Sequence, residues 1–530
     1  MTPPSLGRII ALLVYWSIII YMMTAGAIIK DAFFWERVGF RNAWVTVMQV
    51  PLLYLLASKC NVLGFIAGTS HERLNWLHRW VARTMFVTAS VHGWHFYTEW
   101  SIANVLASQM KTLSMIRYGM GAWGILLWTI VSGFLPIRRL SYEIFVIQHI
   151  ASAAIFLWVV HVHVPAYAQY NVWFAIAALS FDRVCRAILL VWQNVKFAPN
   201  RSNCKGGQRI GHQAQVRAVG ASIAVITIKD VHFKWRAGQH LYLWMPKLGL
   251  AEAHPYTIAC AHKLPETCIC NSIQLVVRKH KGFSKRLHDF AAKAQAAGKK
   301  ETLTAFVSGP YGVPPRWDIY ETIILISAST GASFTLPILE SVLHTKETNC
   351  TKRIDFLLTA KQGEEVDFYV TRLHEFIERA KEIGIELLVH VAITRSAPSP
   401  ASGGSGMGAL AFGPSSASSS GSDLGKVMDD EVAATSPADV EKAAASAHRK
   451  RLSNASADSH VHHASVRPDV EAFIRGPVEA TGGETSVVVC GGPSLVAKVR
   501  NCVASLSDER AVHKGSGAQG IQLHVEEYAF

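Results

Sequence analysis

Charge is scarce in this chain: of its 530 residues only 17% are Asp, Glu, Lys or Arg, against 50% hydrophobic. Such a balance argues against a wholly soluble protein and points to a membrane protein with room for two or three domains. Paired cysteines are also missing. Nine cysteines, an odd number with no CxxC among them, argue against a disulfide framework. No small-residue cleavage pattern follows the first apolar run, so no cleavable leader is expected. Acidic residues fall short too, 38 against 52 basic, for a net charge of +14. Much of that excess flanks apolar runs, where anionic lipid headgroups are the simpler partner, and no nucleic acid is expected.

What is present is apolar sequence, and nearly all of it comes early. Six runs approach the roughly 20 residues a spanning helix needs: 9–29, 43–58, 77–97, 118–137, 142–163 and 172–192. The second is short and holds Pro51. Lys59, Arg73, Arg79 and Arg83 cluster around the start of the third run, and Arg138 and Arg139 precede the fifth. By the positive-inside tendency these ends face the cytosol, and Arg183, Arg186 and Lys196 place the end of the sixth run there. Lys30, Arg37, Arg41, Lys111 and Arg117 fall on the other side, so the bias is moderate. Beyond Cys204 the charge, glycine and turn density are those of a soluble protein. The expected fold class is a membrane α-helical bundle of about six spans (1–197) followed by a cytosolic module.

Two of the runs carry histidines at membrane depth, where ionisable groups are costly and usually mark a function. LHRWVARTMFVTASVHGWH sets His78 and His92 fourteen positions apart, and HIASAAIFLWVVHVH repeats the spacing with His149 and His163. Fourteen residues at about 100° each bring both members to one helix face, about 21 Å apart along the axis. If the third and fifth runs point the same way, His78 meets His149 near one leaflet and His92 meets His163 near the other. Two stacked bis-histidine sites are what two b-type haems require. Interhelical hydrogen bonding or an interfacial position is the better reading of a single histidine, and the doubled pattern favours haem. His95 and His161 fall off that face, as interfacial residues or as contacts for an acceptor. Arg83 could neutralise a haem propionate, though topology alone also accounts for it.

Through these helices, with LNWLHRW and RRLSYEIFVIQH, the chain resembles fungal ferric reductase transmembrane components of the ferric reductase and NADPH oxidase superfamily. The resemblance continues to the C-terminus and implies a ferredoxin-reductase-like module: an antiparallel β-barrel binding FAD (205–315) and an α/β domain binding NADPH (318–530). The alternating runs QAQVRAVG, SIAVITI and HLYLWMP independently suit such a barrel. HPYT (His254, Pro255, Tyr256, Thr257) is similar to the family's flavin motif, which lies along the isoalloxazine and ribityl. LVVRKHKGFSKRL ends a strand at Arg278 and opens a helix at Gly282 and Ser284, a helix start suited to the FAD diphosphate. SGPYG, with Gly309, Pro310 and Gly312, closes the barrel. TIILISASTGAS is a strand-turn-helix unit for a dinucleotide pyrophosphate. It keeps Gly331 but has Ala328 and Ser329 where relatives usually have glycines, with Thr330 and Ser329 as compensating hydroxyls. Lys361 and Arg395 end later strands, where cations favour the 2′-phosphate of NADPH over NADH. CGGP brings Cys490 and Gly491 toward the nicotinamide, with a plain buried thiol as the other reading of Cys490. The terminal Phe530 resembles the aromatic that covers the flavin.

Residues 396–465, rich in Ser, Gly and Ala, are expected to form a disordered insert. RKRLS within it reads as a phosphorylation site or a solvated charge run, and His460, His462 and His463 are a weak metal candidate. The expected activity is electron transfer from cytosolic NADPH through FAD and two haem b groups to ferric or cupric chelates outside, with a superoxide-generating NADPH oxidase as the alternative. The plasma membrane is the expected site, with a metal permease or oxidase as a possible partner. Oligomeric state is not legible.

Overall fold

The computed structural model describes residues 6–197, 208–250, 252–262, 271–299, 301–345, 349–360, 364–393, 461–464, 468–513 and 520–527. It divides into two units, Met1–Arg217 with Val225–Pro315, and Ala218–Ala224 with Arg316–Phe530.

In the first unit six long helices stand where the six apolar runs lie: α1 Leu6–Thr24, α2 Phe34–Ala57, α3 His71–Ile102, α4 Ser114–Ser132, α5 Tyr142–His163 and α6 Tyr170–Asn194. The second run is longer than its apolar stretch suggests, because the helix continues through Pro51 and begins nine residues earlier, at Phe34. By length and composition α1 and α5 are apolar enough to cross a membrane. The remaining four carry the polar and basic residues that the bundle uses inside or at its ends. Large apolar side chains such as Leu13, Ile18, Ile147, Trp158, Phe174 and Ile188 lie exposed on the outside of the bundle. So much apolar surface on a soluble protein would be an aggregation liability; on a membrane protein it faces lipid. Inside, Val81, Met85, Phe156, Val160 and Val172 form the core. Small polar bonds tie α1, α2 and α3 there: Tyr15 donates to Gln49 at 2.7 Å, and Gln49 and Thr46 donate to Thr88.

The same unit holds most of a six-stranded sheet made of β1 His212–Val219, β2 Ile223–Ile228, β3 His240–Trp244, β4 Ala253–Thr257, β5 Ile273–Arg278 and β6 Thr302–Tyr311. Its order is β4-β3-β6-β1-β2-β5, and an antiparallel bridge from Ile258 to Leu275 joins the two ends into a barrel. Helix α7, Phe283–Ala296, packs Phe283, Leu287 and Ala291 inward.

The barrel is joined to α6 by more than the chain. β1 pairs with β6 only as far as His212 opposite Ala305. Beyond that point the two carboxamides at the end of α6 take over. Asn194 donates to the Val307 carbonyl at 2.7 Å and accepts from the Val307 amide at 2.8 Å. Gln193 does the same with the backbone of Gly309. Two rungs of the ladder are thus supplied by side chains, which satisfies backbone groups that burial would otherwise leave unpaired. Lys196 adds an ion pair with Asp230 at 2.6 Å.

The second unit is a parallel sheet in the order β10-β9-β8-β7-β11-β12, from β7 Thr322–Ala328, β8 Arg353–Ala360, β9 Glu386–Ile393, β10 Val461–Ala464, β11 Thr485–Gly491 and β12 Ile521–Glu527. Near-continuous Val, Ile and Leu in β7, β8 and β11 fit strands covered on both faces. The covering helices are α8 Ala332–His344, α9 Glu364–Ile383, α10 Val470–Ala480 and α11 Pro493–His513.

The expected insert, 396–465, is corrected at its end. Residues 396–460 lie outside the described residues, but Val461–Ala464 form the edge strand β10, parallel to β9 with Val461 opposite Val389. His462 stacks on His390 with ring centres 4.9 Å apart. The strand is short and its apolar signal is a single Val461, so composition hides it. A parallel neighbour needs a crossover of about a dozen residues. Deleting 396–448 keeps that length, and we expect flavin content to stay within about twofold of wild type, because no described element is lost. Extending the deletion through 465 strips the edge of β9 and should lower the melting temperature of the nucleotide domain by several degrees, about 1 kcal/mol in a domain of this size. Equal melting temperatures for the two deletions would show that β10 contributes nothing.

Candidate electron-transfer site

Helices α3 and α5 bring the four histidines together in two pairs. His78 faces His149 with ring centres 6.5 Å apart and planes at 74°, and His92 faces His163 at 6.1 Å and 61°. A metal–imidazole bond of about 2.0–2.1 Å, plus about 1.1 Å from nitrogen to ring centre, puts two imidazoles on one ion about 6.3 Å apart. Both pairs match that separation.

Backbone carbonyls fix the rings. His78 donates from Nδ1 to the Leu53 carbonyl at 3.1 Å, His92 to Gly39 at 2.9 Å, and His163 to Met115 at 2.9 Å. A carbonyl only accepts, so in each ring Nδ1 carries the proton and Nε2 keeps its lone pair for a metal. Gly39 and Leu53 are themselves fourteen residues apart on α2, so the acceptors repeat the period of the ligands. These carbonyls escaped sequence reasoning, because any residue type supplies one. Two glycines give a partial signal. A Cβ on Gly119 would lie 2.6 Å from His163 Cε1, and one on Gly39 would lie 2.8 Å from the Phe96 ring. Among the described residues His149 Nδ1 is buried without a hydrogen bond, its ring beside Phe145 at 5.3 Å. His95 bonds its own helix at Val91 and lies against Trp35, while His161 packs edge-on against Trp173. Neither joins a pair. Arg83 lies over the Trp80 ring.

On the His78–His149 side, residues to which the sequence reading gave no part in a site link bundle to barrel. Glu72 accepts from His240 Nε2 at 2.8 Å, and the Lys59 ammonium sits 3.2 Å over the Tyr242 ring. Tyr311 packs against His71, His240 and Tyr242. Burial pushes the Tyr242 phenol up to about 12, so it remains a neutral donor.

The two flavin motifs meet on the barrel. His254 stacks on Phe283 at 4.9 Å, which sets β4 beside the start of α7. Pro255, Tyr256 and Thr257 lie opposite Tyr242, Leu241 and His240 of β3, and burial raises the Tyr256 phenol. Arg278 ends β5 and Gly282, at φ 66°, starts α7. The Ser284 hydroxyl accepts from His280 N–H and donates to the Lys281 carbonyl, so it holds its own turn. Gly309 and Pro310 lie in β6, and the Gly312 carbonyl after it accepts from Gln239 at 3.0 Å.

In the second unit β7 neighbours both β8 and β11, so the sheet order reverses between β7 and β11, where such folds bind ligands. The turn Ser329–Gly331 after β7 and the end of β11 touch there. A Cβ on Gly331 would lie 2.5 Å from the Cys490 carbonyl oxygen, and one on Gly491 would lie 2.8 Å from Leu495. Ser329 stands at φ 50°, a conformation glycine adopts freely. Ala328, at the end of β7, is extended. Thr330 accepts through its carbonyl from Ser333. Cys490 is buried and burial pushes its thiol up, so it is a neutral thiol rather than a nucleophile. Lys361, Arg395, Phe530 and His460 lie outside the described residues. Among the described residues no group of three ligands could hold a metal ion.

A membrane helical domain followed by a flavin barrel and a nucleotide-binding sheet defines a transmembrane reductase architecture. Residues 42–160 match the ferric reductase like transmembrane component, 211–315 an FAD-binding domain, and 320–504 the ferric reductase NAD binding domain. Together these three matches cover most of the chain and make it similar to the ferric reductases. It is 28% identical over 310 residues to a probable cell surface ferric reductase, kap2, of Aspergillus oryzae, covering 56% of this chain and 40% of that one. It is 22% identical over 473 residues to ferric/cupric reductase transmembrane component 2 of Saccharomyces cerevisiae, covering 88% and 59%. The chain thus spans about two-fifths to three-fifths of the length of these relatives.

Proposed function

We propose that this chain reduces ferric or cupric chelates outside the membrane with electrons from cytosolic NADPH. The observation that carries the reading is the pair of facing imidazole sites, four rings in two pairs, three of them held at Nδ1 by backbone carbonyls so that Nε2 keeps its lone pair. His78 with His149, and His92 with His163, would each hold the iron of one haem b. The barrel residues Tyr256, Thr257 and Arg278 would hold FAD, and the turns at Gly331 and Gly491 would hold the dinucleotide. When bound, flavin converts a two-electron hydride donor into single electrons and haem iron carries them one at a time. The residues of α2, α3 and α5 fix the spacing of that path, and the apolar bundle keeps water out. The overall stoichiometry is one NADPH and two ferric ions giving NADP⁺, two ferrous ions and one proton. A haem held by both His92 and His163 would have no free coordination position, which supports outer-sphere reduction of a docked chelate. The plasma membrane, with the reductase module in the cytosol and a metal permease or oxidase as partner, completes the proposal.

Intact cells expressing the protein should reduce a membrane-impermeant ferric chelate at least several times faster than control cells, with superoxide dismutase leaving the rate unchanged. Dismutase-sensitive reduction accompanied by NADPH-dependent superoxide release would replace this reading with an oxidase.

A further inference from the structure

We propose that the cavity between the end of α1 and the start of α2 is the docking site for an anionic ferric chelate. This rests on the reading above that the chain reduces external chelates.

The cavity measures about 420 Å³, within the range of small-molecule sites, and Phe33, Phe40, Trp44, Glu36, Arg37 and Arg41 contribute to its lining. It sits at the level of the His92 pair. Gly39, between the two arginines in sequence, gives its carbonyl to His92, and Phe40 packs edge-on against Phe96 at 5.0 Å, which in turn lies 5.2 Å from the His92 ring. Two aromatic contacts therefore connect the cavity wall to a ligand ring, and a chelate seated there is close enough to take up one electron, ferric to ferrous, with no proton or ligand transferred.

The charges define the ligand. Arg37 is committed to Asp31 and to the Ile29 carbonyl, and that bond holds the Asp31 carboxyl below its usual range. Arg41 makes one bond, from Nε to the Met22 carbonyl at 2.8 Å, and its terminal nitrogens make none among the described residues. A guanidinium anchored at Nε and open at its fork suits a carboxylate. Three aromatic walls suit the organic body of a small chelator, and Glu36 is the acidic residue of the lining, opposite in sign to its two arginines.

The test uses the full-length protein in nanodiscs of neutral phosphatidylcholine, with ferric citrate as anionic acceptor and hexaammineruthenium(III) as cationic one. Arg41→Gln should raise KM for ferric citrate about tenfold, the loss of one charge-assisted hydrogen bond, while kcat and the haem spectrum stay as in wild type. KM for hexaammineruthenium(III) should stay level or fall, and Arg41→Lys should recover most of the ferric citrate effect. Redox-inert gallium citrate should compete with ferric citrate in wild type and less well in Arg41→Gln. Equal KM values for ferric citrate in wild type and Arg41→Gln would overturn the proposal. So would anionic lipid in the discs raising KM where gallium citrate does not compete, because the cavity would then hold a lipid headgroup. A wild type that reduces hexaammineruthenium(III) but no ferric chelate would instead sink the underlying activity.

Discussion

His92→Leu should yield a protein with about one haem per chain instead of two, and outward reduction of ferric chelate should fall to the level of untransfected membranes, a loss of at least about a hundredfold. Leucine fills the space of the imidazole in an apolar bundle, but it offers no nitrogen to iron and no proton to the Gly39 carbonyl. His163, still bonded to Met115, cannot hold a six-coordinate iron alone. The His78–His149 pair lies about 21 Å away along the helix, so the haem proposed there should be retained, and NADPH should still reduce flavin in a stopped-flow trace. The separation of effects is the point of the experiment: haem content by pyridine haemochrome, flavin reduction by absorbance, acceptor reduction by a colorimetric chelate. Two haems per chain in the variant would remove His92 from the ligand set.

Gly331→Val should lower NADPH-driven flavin reduction about a hundredfold while dithionite still reduces flavin and haem normally. Even the first added carbon would lie 2.5 Å from the Cys490 carbonyl oxygen and 3.1 Å from its carbonyl carbon. That obstacle is backbone near the end of the interior strand β11, so the turn must retreat rather than a side chain rotate. A displacement of about 1 Å in groups that position a reactant costs about two orders of magnitude in rate, and overpacking of this kind typically costs about 1–3 kcal/mol of stability. The effect should appear in both KM for NADPH and the rate of flavin reduction. Wild-type kinetics with NADPH would show that dinucleotide binds elsewhere on the domain.

Sequence legibility followed the kind of interaction. The six helices could be read because apolar runs persist over spanning lengths, and the histidine pairs because a charge-capable residue at membrane depth stands out and repeats. Strands β7, β8 and β11 announced themselves as continuous apolar runs. Leu53, Gly39 and Met115 could not be read, since their part is played by a carbonyl that every residue carries. Gln193 and Asn194 carry no signal in the sequence, because their function depends on a strand more than a hundred residues later. Val461–Ala464 was lost inside a polar segment because an edge strand of four residues needs little apolar surface. Ser329 shows the reverse case: sequence flagged an unusual residue in the turn, and the backbone keeps a left-handed conformation there despite the side chain.

The pairing of Gln193 and Asn194 with Val307 and Gly309 also sets an order of events during synthesis. The end of α6 leaves the ribosome long before β6, so the helix is already inserted when the strand arrives to be completed by it. A barrel made on a chain that missed the membrane would lack two rungs, with buried amides and carbonyls left for quality control to find. Placement of α6 thereby becomes a condition for finishing the barrel.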